Sequence, residues 1–83
     1  MLVLVVIDDA DDEVVWAEHS LSLSQLCSIA TRYICHPEED SSVYVDGLWD
    51  TWHANHDGQV VASRRGYTVW IYDEHVIQLR HKS

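Results

Sequence analysis

Five of the six residues from Asp8 to Glu13 are acidic. A block this dense repels itself and needs solvent, so it belongs in a turn. On its N-terminal side, residues 2–7 are consecutive aliphatics, many of them β-branched. That pattern suits a strand buried on both faces. On its C-terminal side, residues 14–19 (Val-Val-Trp-Ala-Glu-His) read as a second strand. The two strands and the acidic turn predict a hairpin. The apolar start is far below the ~20 residues that span a bilayer. It has no basic flank, and Asp8 and Asp9 cut it short, so it does not read as a signal peptide. A cytoplasmic protein is expected.

The next segment predicts a helix. Leu23, Leu26, Cys27, Ala30, Tyr33 and Ile34 recur at helical spacing on one face, and Ile29 widens it. Ser22 with Gln25 three residues on is a capping-box pattern, and Leu21 and Leu26 sit where a hydrophobic staple would form. Pro37 ends the helix and pushes His36 out of the helical region. Cys27 and Cys35 both fall in this segment, about 12 Å apart at helical rise. A disulfide needs Cα atoms within about 7 Å, so two free thiols are expected, as in a reducing compartment.

Residues 38–42 form a second acidic loop. A short helix is expected over 46–56, with Asp46 as N-cap and Gly58 just past its end. Tyr44 and Val45 also suit a short strand. Residues 59–63, 67–72 and 75–80 are rich in Val, Ile, Tyr and Trp and predict three strands. Arg64-Arg65-Gly66 suits a hairpin turn with glycine in the left-handed position. In that register Trp70 would face Ile77. The order ββααβββ predicts an α+β fold: a small antiparallel sheet of about four or five strands with one or two helices packed on it. At 83 residues the chain has room for one domain, 1–83.

The charge is segregated. Residues 1–57 carry twelve acids and one base, Arg32, for −11. Residues 58–83 carry +2, which leaves a net charge of −9. This balance argues against direct binding to nucleic acid or an anionic membrane, which require a basic footprint. The chain is also 47% hydrophobic with four Trp and four Tyr, too rich for a disordered acidic tail. An acidic field steers a basic partner. Carboxylates spaced along a rigid surface compete for the Lys and Arg that hold phosphates. On that reading Asp8, Asp9, Asp11, Asp12, Glu13, Glu38, Glu39, Asp40, Asp46 and Asp50 stand in for phosphates. Trp49 and Trp52 are candidate anchors, as Trp is enriched at binding hot spots. The plain alternatives are a solvated acidic face that aids solubility and two tryptophans on the core side of a helix. Trp70 reads as core, and Trp16 as core or edge.

Catalytic signals are weak. His53 and His56 have i,i+3 spacing, with Asp50 and Asp57 near, but no third ligand is fixed by spacing. Cys35 and His36 are sequence neighbours, whereas a catalytic pair needs spatial opposition. No nucleophile elbow, Walker loop, dinucleotide glycine set or HExxH occurs. No enzyme activity, cofactor or metal is expected. In size and charge the chain is similar to phage-encoded inhibitors of host nucleic-acid machinery, anti-CRISPR proteins among them; the likeness rests on no motif. It implies a stoichiometric inhibitor of a nucleic-acid-binding protein. The competing expectation is an adaptor or regulatory subunit that docks through a sheet edge or tryptophan. Arg64 and Arg65, or an exposed edge, offer contacts for a homodimer.

Overall fold

The computed structural model describes residues 1–76. Two hairpins build one antiparallel sheet. The first comprises β1 (Leu2–Asp8) and β2 (Glu13–Ser20). The second comprises β3 (Gln59–Arg64) and β4 (Tyr67–Asp73). Between them run the helices α1 (Leu23–Ile34) and α2 (Ser41–Asn55). The sheet order is β2-β1-β4-β3, so β1 and β4 are central and β2 and β3 are edges. The α+β class expected from the pattern is present, with helices packed on an antiparallel sheet. No helix among the described residues is long and apolar enough to cross a membrane.

Strand alternation decides the core. Leu4 pairs with Ile71, and Val6 with Val69, across the central strands. These four side chains are fully buried and meet Leu26, Cys27 and Ala30 of α1. Val60 and Leu48 close the cluster from β3 and α2. The opposite face carries Val3, which is buried. Val5, Trp70 and Tyr72 are half-buried there and Val61 is exposed. Trp70 therefore does not enter the helix-covered core as expected. It lies between the buried neighbours Val69 and Ile71, so alternation turns it to the other side, where its ring leans on Tyr72 at 4.3 Å.

α1 matches its prediction closely, while its cap differs in detail. Ser22 accepts from the Gln25 backbone N–H at 3.2 Å. The Gln25 side chain does not reach back to Ser22 but accepts from Ser20 Oγ. Leu21 is 84% exposed, so no staple forms. α2 starts five residues earlier than expected. Asp40, not Asp46, is the N-cap, its Oδ1 accepting from the Ser42 backbone N–H at 3.0 Å. Tyr44 and Val45 are thus helical. The strand expected over 75–80 is not seen in its first part: residues 74–76 are helical, and the rest, with the Trp70–Ile77 pair, lies outside the described residues. Trp70 pairs with Val5 and Val61 instead.

The β3–β4 connection is two residues long, with Arg65 at φ 57° and Gly66 at φ 82°. Positive φ at both positions matches the right-handed twist of the strands. A Cβ at Gly66 would meet nothing within 4 Å. Gly66→Ala is therefore expected to cost about 1–2 kcal/mol from backbone conformation alone. Leu4→Ala, at the core centre, is expected to cost about 3 kcal/mol through lost burial and the cavity left behind. Urea unfolding of both variants checks the pair.

Candidate functional site

The two acidic loops come to the same end of the molecule. β1 pairs Asp8 with Tyr67, which puts the β1–β2 turn beside the β3–β4 turn. The Asp9 N–H donates to the Gly66 carbonyl at 2.9 Å. Thr68 Oγ1 donates to Asp9 Oδ1 at 2.6 Å, and Asp8 Oδ1 accepts from the Ala10 N–H at 3.0 Å. Asp12 takes a left-handed conformation, φ 56°, so the chain can fold back into β2.

The second loop, residues 35–40, is fixed to the other side of the same β3–β4 turn. Arg64 forks onto Glu39, with Nη1–Oε1 at 2.6 Å and Nη2–Oε2 at 3.0 Å. Its Nη1 also donates to the Ile34 carbonyl at 3.1 Å. The guanidinium lies over the Tyr44 ring, 4.8 Å from the centroid, and the Tyr44 hydroxyl donates to Glu39 Oε2 at 2.6 Å. Arg65 Nη1 donates to the Cys35 carbonyl at 2.9 Å. Such charge-assisted forks fix geometry as well as charge.

These contacts sort the expected phosphate mimics. Glu39 is committed internally: the donated bonds from Arg64 and Tyr44 hold its carboxyl down at about 2, against an ordinary 4.5. Asp40 caps α2, and the Ser42 hydroxyl and N–H hold its carboxyl below the usual range. It remains exposed, as do Asp9, Asp11, Asp12, Glu13 and Glu38. Asp8 is half-buried. The ion pair present among the described residues is Arg64–Glu39, so none of these exposed acids is neutralised by a base within 4 Å there.

α2 carries the acidic surface away from this end. Asp46 and Asp50 are exposed and one turn apart. Asp57, which a longer helix would place on the same stripe as Asp46 and Asp50, does not join them. It lies beyond the helix, half-buried, and accepts from the Gln59 N–H at 3.3 Å. The two tryptophans divide. Trp52 is partly buried against the core, while Trp49 is 42% exposed beside Asp46. Eight residues of helical rise put Trp49 about 12 Å from Ser41.

The histidine pair also divides. His53 Nδ1 lies 2.8 Å from the Trp49 carbonyl, and its ring sits 4.6 Å from the Trp49 ring. His56 is the left-handed C-cap. No three His, Cys, Asp or Glu come together to hold a metal among the described residues. Both cysteines are free, and burial pushes the Cys27 thiol up to about 11. Cys35 lines an open cavity of about 490 Å³ between α1 and the start of α2, with Arg32, His36 and Ser41. No spacing rule could have found Arg64, Tyr44 or this cavity, because they meet Glu39 only through the fold.

The chain matches no known protein family, no curated protein and no solved structure.

The depressed Glu39 carboxyl has a pH signature. A group depressed on folding stabilises the native state above its unfolded value and loses that stabilisation as pH falls through its folded value. The stability gap between wild type and Glu39→Gln is expected to be full above about pH 4.5 and to close toward about 2. Denaturant titrations at stepped pH check it; a gap that is flat with pH would remove Glu39 from the network.

Proposed function

We propose that this chain is a non-enzymatic interaction module that blocks the basic surface of a nucleic-acid-binding protein. The observation that carries the reading is the convergence of residues 8–13 and 38–40 on one end, held by the β3–β4 turn between them. Asp9, Asp11, Asp12, Glu13, Glu38 and Asp40 are the charges presented there. Asp46 and Asp50 extend the row along α2, with Trp49 as the aromatic anchor. A fixed scaffold matters because carboxylates that imitate phosphates must hold their spacing without the partner's help. Of the two arginines between the loops, Arg64 is neutralised by Glu39, while Arg65 donates to the neutral Cys35 carbonyl and keeps its charge.

On this reading the protein acts in the cytoplasm, where its partner meets nucleic acid. The second reading, an adaptor docking through an apolar edge or Trp49, draws on the exposed Val14, Val15 and Trp16 of β2.

Salt separates them. Immobilised protein is exposed to a nuclease-treated lysate of the cell that carries it and eluted on a salt ramp. Nucleic-acid-binding proteins are expected to leave between low and moderate salt and to be displaced by added DNA or RNA. Replacing Asp8, Asp9, Asp11 and Asp12 together with Asn is expected to weaken capture at least about tenfold, as for a set of close interfacial charges. Partners that resist salt and ignore that variant would overturn the acidic reading in favour of the adaptor.

A further inference from the structure

The edge strand β2 borders a groove that the acidic end does not use. β2 pairs with β1 along one side, and its other side has no strand partner among the described residues. An unpaired edge offers a row of N–H and C=O groups to an extended chain. Natural edges are often blunted by a bulge, and β2 has one, where the register shifts between Val6 and Ile7. The bulge lies toward the acidic turn. From Trp16 to Ser20 the strand pairs regularly with β1.

Beside that regular stretch, between β2 and α1, is a cavity of about 240 Å³. Trp16, Ile29 and Tyr33 supply its apolar lining, and Glu18 and Arg32 its charges. Trp16 is 43% exposed there. A strand laid along β2 would point alternate side chains to this face. One of them would enter the cavity, while the backbone bonds the edge. A free edge beside a pocket for alternate side chains is the geometry of strand addition.

Charge selects the occupant. Glu13 and the acidic turn lie at one end of β2, and at the cavity Glu18 adds a further carboxylate beside Arg32. A second copy would bring another net charge of −9, and with it Glu13 and Glu18, to the same edge. The other edge, β3, is shorter, and its last residue, Arg64, is held by Glu39. We propose that β2 accepts an extended segment of a protein partner. That segment places an apolar or aromatic side chain between Trp16, Ile29 and Tyr33, and its basic residues run toward the Asp8–Glu13 turn. The proposal deepens the acidic-interface reading and rests on it for the partner's charge, while the groove itself does not.

The probe is a capped peptide, Lys-Lys-Thr-Tyr-Thr-Val-Thr, and its reverse order, since the edge accepts either strand direction. Binding is read as amide hydrogen exchange along β2 and as a dissociation constant. One order is expected to bind and to slow exchange at alternate residues between Trp16 and Ser20. N-methylation of alternate peptide amides is expected to abolish binding in one phase and spare it in the other, a control that leaves the protein unaltered. Trp16→Ala is expected to weaken binding about tenfold or more, as for a pocket anchor. No binding in either order, binding without protection of β2, or indifference to N-methylation in both phases would overturn the groove. Equal affinity with serines in place of the lysines would overturn the basic occupant. If the peptides fail while the fourfold Asp→Asn variant still loses its basic partner, the groove alone is wrong. If they dock while that variant keeps its partner, the acidic reading alone is wrong.

Discussion

The fork from Arg64 onto Glu39 is the contact on which the acidic end depends. It joins the last residue of β3 to the connection between the helices, and Tyr44 closes it from α2. Half-exposed ion pairs of this kind contribute little to stability on their own. Their worth here is positional. With Arg65 bonded to Cys35, the loop at 35–40 is fastened to the turn that Asp9 touches from the other side. The fork also pairs off one cation and one anion at the rim, and leaves Arg65 as an exposed cation beside the remaining carboxylates.

The sheet has two unlike faces. One is closed by α1 and α2 over Leu4, Val6, Val69 and Ile71. The other carries Trp70 and Tyr72 half-buried, with the Trp70 Nε1–H donating to Gln59 Oε1 at 3.1 Å. Satisfying that indole N–H lets a large aromatic sit at the boundary of the sheet without an orphaned donor. It also explains why a residue in the middle of a central strand need not be in the main core.

Much of this fold was legible locally, because hairpin turns and amphipathic helices write themselves into short windows. The acidic turn, the glycine at position 66 and the apolar stripe from Leu23 to Ile34 each gave the right element. α2 was harder. Leu48 is its one residue buried in the core, so periodicity was faint, and Asp40 looked like part of an acidic loop rather than a cap. Trp70 was read as core from its place mid-strand; alternation with the polar Thr68 two residues earlier assigns it to the outer face. At the site, acidity was visible in the sequence, but the convergence of the two loops was not. It arises from the β1–β4 pairing and from Arg64, which meets Glu39 across 25 positions. That meeting turned one expected phosphate mimic into a structural anchor.

The sheet order has a consequence for assembly. β1 is made before the other three strands of the sheet but is central, and its partner β4 is the last strand of the described chain. The pairing of Leu4 with Ile71 must close a loop spanning most of the protein, a slow class of contact. Until then, Leu4 and Val6 have half their sheet missing, and twelve acids face each other with Arg32 as their one base. The hairpin that completes the core also delivers Arg64 and Arg65. Hydrophobic closure and relief of like-charge repulsion thus arrive in one event, and a nascent chain halted before β3 would have neither.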